Sequence, residues 1–155
     1  MGLTAYKKKR DFKATPEPAG KKVASRKKLE FVVQRHSASR LHYDFRLEMD
    51  GVMKSWAIPK GPSLNPKDKR LAILVEDHPY DYRTFEGIIP EGNYGAGTVE
   101  IWDKGTYTPI NNKGTSAEKE LLKELKTGSL KFSMNGNYLK GEFALVMLKN
   151  AEEKN

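Results

Sequence analysis

The hydrophobic and polar residues of this chain alternate most strictly between Leu41 and Glu48. In "LHYDFRLE" every second residue is apolar, and the residues between them are polar or charged. Successive side chains of a β-strand point to opposite faces of a sheet, so this period of two predicts a strand with one face in the core. The "MDG" that follows at 49–51 predicts a tight hairpin turn, because Asp-Gly supplies the positive φ angles such turns need.

The rest of the chain contains further short runs typical of strands. With the alternating segment included, they occupy residues 29–34, 41–48, 52–58, 71–77, 98–103, 105–110, 129–134 and 138–148. The run at 71–77 is almost continuously apolar and predicts a buried strand. Residues 59–70 and 78–97 have the composition of loops, and Gly92, Gly95 and Gly97 are interpreted as turn residues.

One helix is predicted at about 116–126. Thr115 is expected to cap it, with Glu118 three residues further on, and Gly128 is expected to end it. About eight short strands with one helix predict an all-β dominated fold, a compact β-barrel. The expected organisation is an N-terminal arm at 1–27, a barrel domain at 28–150 and a short tail at 151–155.

Composition excludes several kinds of site. The 155 residues include no cysteine, which rules out disulfides, thiolate zinc sites and cysteine nucleophiles. No apolar run is long enough to cross a bilayer, and the N-terminus has no apolar segment of the signal-peptide type. We therefore expect an intracellular, cytoplasmic protein that does not engage a membrane.

The positive charge of the chain is concentrated in its N-terminal arm. Residues 1–28 carry ten Lys/Arg and two acidic residues, whereas the remainder carries eighteen of each, so the net charge of +8 belongs to the arm. The arm has no apolar periodicity and is expected to be largely extended rather than packed. Such an arm favours a polyanionic partner such as nucleic acid, and a merely solubilising tail is the alternative.

The polar face of the alternating strand carries candidate chemistry. His42, Asp44 and Arg46 fall on one face, and a return of the chain through 37–40 would bring His36 beside His42. Two imidazoles and a carboxylate suit Mn²⁺, Fe²⁺ or Zn²⁺, and an arginine fork suits phosphate. The alternative is a solvated polar face without a metal. Further candidates near loop–strand junctions are His78, Tyr82, Lys60 and Arg70. The alternative interpretations are a loop histidine, a packed tyrosine and two solvated cations.

Longer motifs make the sequence resemble a known family. They are "KKRDFKATPEPAG", "FVVQRHSASRLHYDFRLE", "SWAIPKGPS" and "EDHPYDYRTFEGIIPEGNYGAGTVEIWDKGTY". In this order and spacing they resemble the 3′-phosphoesterase domain of bacterial DNA ligase D, here expected in a free-standing form. The resemblance implies a β-barrel and a Mn²⁺-dependent enzyme, with Co²⁺ or Zn²⁺ as other candidate metals.

The resemblance also implies a reaction and a set of site residues. The enzyme would remove a 3′-terminal ribonucleoside from a DNA strand and then the remaining 3′-phosphate, leaving a 3′-OH for a DNA ligase acting in trans. His36, His42 and Asp44 correspond to metal ligands, and Arg46, His78 and Tyr82 to catalytic residues at the phosphate. Supporting positions correspond to Arg10, Asp11, Glu17, Gln34, Lys60, Arg70 and Glu76. A non-catalytic nucleic-acid end-binding module and an RNA 3′-end phosphoesterase are the alternatives.

Overall fold

A computed structural model of the chain describes residues 3–20, 28–111 and 116–148. In these residues there are two α-helices, α1 (Thr4–Lys8) and α2 (Ala117–Thr127), and a 3₁₀ helix at Tyr80–Thr84. There are eight strands: β1 (Leu29–Ser37), β2 (Leu41–Met49), β3 (Val52–Ile58), β4 (Ile73–Pro79), β5 (Gly87–Ile89), β6 (Gly97–Pro109), β7 (Ser129–Gly136) and β8 (Lys140–Val146).

All eight strands belong to one antiparallel sheet. Its hydrogen-bonded order is β4-β3-β2-β1-β6-β7-β8, and β5 pairs with β6 off this path. The sheet curls into a half-barrel, so the all-β prediction with about eight strands and a short helix is confirmed. β1 and β2 lie near the middle of this order, which places their polar face at the centre of the sheet rather than at an edge.

One side of the sheet holds the main hydrophobic core. Phe31 and Val33 of β1 pack there with Phe45 and Leu47 of β2, and Leu121 of α2 covers them. Each buried side chain of this size stabilises the fold by roughly 1.5–3 kcal/mol. The apolar set of the alternating strand therefore lies in the core, and its polar set points to the other face.

The turn and the helix ends follow local chemistry. Asp50 (φ 56°) and Gly51 (φ 78°) both have positive φ, which confirms the tight β2–β3 hairpin. Helix α2 ends at Gly128 in the left-handed conformation, as expected. The cap at its start is Ser116, whose side chain accepts a hydrogen bond from the Lys119 N–H. The predicted cap, Thr115, lies outside the described residues.

Two predictions about strands are wrong. The apolar part of the run at 71–77 is not buried: Ile73 is 49% and Leu74 54% exposed, because β4 is an outer strand of the sheet. The predicted strands 98–103 and 105–110 are one continuous strand, β6, since Gly105 stays in register with Gly136 of β7. The predicted loop 78–97 also contains the short strand β5 and the 3₁₀ helix.

Residues 3–20 of the arm pack against the sheet, which composition alone does not predict but which the match of Arg10 and Glu17 to site positions of the resembled family implies. Tyr6 of α1 is fully buried in a second cluster with Tyr82, Phe85 and Val99, and Phe12 packs beside it. Two isolated aromatic residues anchor this segment without any repeating pattern. Residues 21–27 lie outside the described part of the chain. Among the described helices, neither has the length and apolar character needed to span a membrane.

Candidate active site

A histidine–carboxylate cluster lies where β1 and β2 pair. The register sets His36 directly opposite His42, and their ring centroids are 4.7 Å apart. Asp44 lies between them: its Oδ2 is 3.4 Å from His36 Nδ1 and its Oδ1 is 3.2 Å from His42 Nε2. One donor atom from each residue lies within 4.8 Å of the others. The chain path predicted through 37–40 is confirmed.

Backbone carbonyls orient both imidazoles. His36 Nε2 lies 2.7 Å from the Gly95 carbonyl oxygen, and His42 Nδ1 lies 3.3 Å from the Arg40 carbonyl oxygen. A carbonyl oxygen only accepts hydrogen bonds, so each of these nitrogens carries a proton. When a ring is neutral, its other nitrogen, which faces Asp44, has a lone pair for a cation, and that nitrogen donates a hydrogen bond to Asp44 only when the ring is protonated. Metal-binding histidines are commonly oriented in this way, so the donor set fits a transition metal.

The electrostatics keep the cluster anionic at its centre. Burial on its own would raise the pKa of Asp44, but Arg46 and the hydrogen bonds from His36 and His42 hold it well below its usual range. The hydrogen bond to Asp44 raises the pKa of His42 above its ordinary value, although burial opposes this. A cation entering the cluster therefore meets an ionised carboxylate and competes with a proton on His42.

Arg46 stands beside the cluster in a fixed orientation. Its Nε donates to Gln34 Oε1 at 2.7 Å, one terminal nitrogen donates to Ser55 Oγ at 2.9 Å, and the other lies 3.5 Å from Asp44. The guanidinium carbon lies 4.7 Å from the centroid of the Tyr82 ring. Gln34 is held in turn by the carbonyl oxygens of Tyr82 and Phe85. Held in this way, Arg46 can present its remaining N–H groups to an anion without reorganising.

Ser55 belongs to this site, and the sequence reasoning missed it. It pairs directly with Arg46 across β2 and β3. A signal was available, because a two-residue turn at 50–51 pairs residue 49 with 52 and therefore 46 with 55.

The N-terminal arm reaches the site through Glu17 and Arg10. Glu17 Oε2 accepts hydrogen bonds from Arg10 Nε at 2.9 Å and from the Tyr82 hydroxyl at 2.6 Å, and Thr15 Oγ1 donates to the other oxygen. Arg10 also lies 3.4 Å from Glu76. The contacts with Tyr82 and Glu76 join the arm to the rest of the domain, whereas those among Arg10, Thr15 and Glu17 hold the arm together.

His78 lies between the arm and Arg46. Its Nδ1 donates to the Glu76 carbonyl oxygen at 3.0 Å, and its Nε2 accepts a hydrogen bond from an Arg10 terminal nitrogen at 3.3 Å. The Tyr6 and Tyr82 rings contact it, with centroids 5.0 and 4.7 Å away. Burial, with Arg46 and Arg10 nearby, lowers the pKa of His78 well below 6.5, so the ring is neutral at neutral pH.

This state of His78 can be checked by NMR. In long-range ¹H–¹⁵N spectra of the metal-free protein, we expect His78 to stay neutral, with its proton on Nδ1, at pH values well below 6.5. His42 should titrate above its ordinary value in the same samples. Comparison with His78→Gln assigns the signal. A His78 signal that titrates near 6.5 would contradict the arrangement.

Three predicted site residues are not brought to the cluster. Asp11 is exposed, and among the described contacts its side chain accepts a hydrogen bond from the Lys13 N–H. Arg70 is exposed and contacts the Lys60 carbonyl oxygen and Asp68. Arg70 lines a groove of about 130 Å³ together with Phe45. Phe45 follows Asp44 in β2, so the two side chains point to opposite faces of the sheet. Arg70 thus lies on the core side of β2, and the exposed Lys60 contacts it through its backbone carbonyl.

The remaining predicted residues are linked by direct contacts on the polar face of the sheet. They are Arg10, Glu17, Gln34, His36, His42, Asp44, Arg46, Glu76, His78 and Tyr82. The fold and this site together define an all-β protein with a candidate metal centre next to a buried arginine. The chain belongs to the DNA ligase D 3′-phosphoesterase domain family, whose model matches residues 34–147.

Curated relatives agree with this assignment. The chain is 52% identical over 146 residues to the multifunctional non-homologous end joining protein LigD of Pseudomonas aeruginosa, covering 93% of the chain and 16% of that protein. It is 44% identical over 145 residues to the LigD repair protein of Mycobacterium tuberculosis, covering 93% of the chain and 18% of that protein. The chain thus spans less than a fifth of the length of these relatives.

Proposed function

We propose that this domain heals DNA 3′ ends in two metal-dependent steps. It removes a 3′-terminal ribonucleoside as a phosphodiesterase and then the 3′-phosphate as a phosphomonoesterase, leaving a 3′-OH. The observation that carries the proposal is the His36–His42–Asp44 cluster beside the fixed Arg46, in a member of a 3′-phosphoesterase family. The relatives are named for non-homologous end joining, and we place this domain in the same repair process.

The proposed cofactor is Mn²⁺, held by His36, His42 and Asp44. Two imidazole nitrogens and one carboxylate oxygen also suit Co²⁺ or Zn²⁺, and they suit Ca²⁺ poorly. When bound, such a cation polarises a phosphoryl oxygen and lowers the pKa of a bound water.

Arg46 is proposed to bind the phosphate. A guanidinium has five N–H donors. In this structure Arg46 directs three of them to Gln34, Ser55 and Asp44, which leaves two for phosphate oxygens. Because the group is already fixed, it stabilises charge on the phosphate without paying an ordering cost during the reaction.

His78 is proposed to handle a proton at the phosphate. It is neutral in the structure, with Nε2 facing Arg10. A bound phosphate brings negative charge beside the ring and raises its pKa, so that Nε2 can carry a proton to the leaving oxygen or donate to the equatorial oxygens. Tyr82 has its hydroxyl on Glu17 and its ring against Arg46, so we assign it a positioning role.

A substrate and metal panel tests the function. The substrates are a DNA primer with one 3′-terminal ribonucleotide, the same primer with a 3′-phosphate, and an all-RNA strand. With Mn²⁺ we expect release of the nucleoside, then of phosphate, and no reaction in EDTA. Binding of ends without product under any divalent metal would instead support a non-catalytic end-binding module. Faster reaction on the all-RNA strand would support an RNA 3′-end phosphoesterase.

The product of these steps indicates the partner. A strand that ends in a 3′-OH is the form that a DNA ligase consumes, so the proposed partner is a ligase that acts in trans. The exposed Lys7 and Lys8 of α1 sit on the arm that closes over the site, and they are placed to meet the phosphate backbone of the same DNA end.

A further inference from the structure

Tyr94 is an exposed aromatic residue at the rim of the site. It is 49% exposed and contributes to none of the hydrophobic clusters of the described residues. The next residue, Gly95, provides the carbonyl oxygen that orients the candidate metal ligand His36. Tyr94 is therefore one residue away from a contact that the site depends on, although the core makes no use of its ring.

The turn that carries Tyr94 is held in place. Gly92 (φ 88°) and Gly95 (φ 76°) adopt left-handed backbone conformations on either side of the tyrosine. The Ala96 N–H donates to the Asn93 carbonyl oxygen, and the Asn93 side-chain amide donates to the Pro90 carbonyl oxygen. This closed turn, joined to His36 at Gly95, fixes the backbone that carries the aromatic ring beside the candidate metal cluster.

Cations from the arm contact the same ring. Lys9 Nζ lies 4.7 Å from the ring centroid and 3.4 Å from the hydroxyl oxygen, and the Arg10 guanidinium carbon lies 5.3 Å from the centroid. Arg10 in turn contacts His78. An aromatic ring flanked by cations, next to a phosphate site, is the combination that single-stranded nucleic acids use for binding: charge for the backbone and a π face for the base.

We propose that Tyr94 is a stacking subsite for the nucleobase beside the scissile phosphate. The inference rests on the proposed function, since it takes a strand 3′ end as the substrate. Stacking on a π face tolerates any base, so the subsite recognises that a base is present and not which base it is. The aromatic ring is the required feature, and the hydroxyl is dispensable.

Fluorescence of a base analogue tests the subsite without turnover. The probes are primers with 2-aminopurine at the 3′-terminal or the penultimate position, titrated with protein in EDTA. Wild type should quench at least one probe, and Tyr94→Ala should lose that quenching and bind about 5- to 150-fold more weakly. Tyr94→Phe and Tyr94→Trp should retain both the quenching and the wild-type affinity. Tyr138→Ala removes another exposed tyrosine, 59% exposed, and should behave as wild type.

A primer that lacks the 3′-terminal and the penultimate base completes the experiment. On this primer wild type and Tyr94→Ala should bind alike. Equal binding and quenching of the base-bearing probes by wild type and Tyr94→Ala would overturn the subsite. An equal loss of affinity in Tyr94→Ala on the abasic primer would also overturn it. So would a loss of affinity in Tyr94→Phe, because that result would assign the role to the contact between the hydroxyl and Lys9. If wild type trims no 3′ end with any metal while the quenching pattern holds, the proposed function fails and the stacking subsite stands.

Discussion

Replacement of Asp44 by asparagine is expected to lower Mn²⁺-dependent trimming of 3′ ends by at least about 100-fold. Asp44 is the shared partner of His36, His42 and Arg46, and it is the one carboxylate of the candidate metal cluster. Asparagine keeps the shape of the side chain but removes its negative charge. The cation then loses its anionic ligand, and two imidazoles alone hold it weakly.

The measurement combines calorimetric titration with Mn²⁺ and a trimming assay on the ribonucleotide-terminated primer. Glu142→Gln, an exposed acid-to-amide change on β8, is the matched control and should leave both unchanged. A readout independent of activity is available, because the pKa of His42 is raised mainly by its hydrogen bond to Asp44 and should fall in the variant. If Asp44→Asn trims 3′ ends within a few-fold of the wild-type rate, Asp44 is not a ligand of the catalytic metal.

The same carboxylate ties stability to pH. The folded-state pKa of Asp44 is depressed, so its stabilising contribution is present above the unfolded value near 3.8 and is lost as the pH falls through the folded value. At neutral pH the wild type has the full contribution, and Asp44→Asn lacks it. Thermal unfolding near neutral pH therefore shows whether lost trimming reflects lost folding or lost metal binding.

Replacement of Glu17 by alanine is expected to detach the arm from the sheet. Glu17 is buried and bonds to Arg10, Tyr82 and Thr15, so its removal leaves the Arg10 charge and the Tyr82 hydroxyl without their main partner. Breaking a buried ion pair on one side costs about 3–5 kcal/mol. The arm contributes few other buried residues, notably Tyr6, so a loss of this size favours the detached state.

Hydrogen exchange measures this detachment directly. Residues 3–20 should exchange much faster in Glu17→Ala, while the β1–β2 pairing should stay protected. Trimming should fall as well, because Arg10 no longer contacts His78. Asp11→Ala changes an exposed acid of the same arm and should leave hydrogen exchange near wild type. Unchanged exchange in Glu17→Ala would show that Tyr6 and Phe12 suffice to hold the arm.

Local pattern was enough to predict one edge of the site. The period of two placed His42, Asp44 and Arg46 on a single face, and the structure confirms it. It also confirms His36 beside His42, which followed from a short return of the chain. These residues are near neighbours in sequence, and the strand geometry that relates them is the same in any sheet.

Burial and distant contacts could not be predicted in the same way. The apolar run at 71–77 looked like a core strand, but whether a strand is covered depends on its place in the sheet, and β4 lies at an end. Lys60 and Arg70 matched a family motif, yet the loop that carries them folds over the core side of β2.

The amino-acid sequence by itself determined most of the strands, the β2–β3 turn and the row of candidate metal-binding and phosphate-binding side chains. Tertiary structure decided which residues hold the arm against the polar face and which contacts they make there. The contact between Glu17 and Tyr82 joins residues 65 positions apart. Periodicity reports only which residues of one element share a face. The arm is held by single aromatic and charged residues, whose partners are set by the folded sheet.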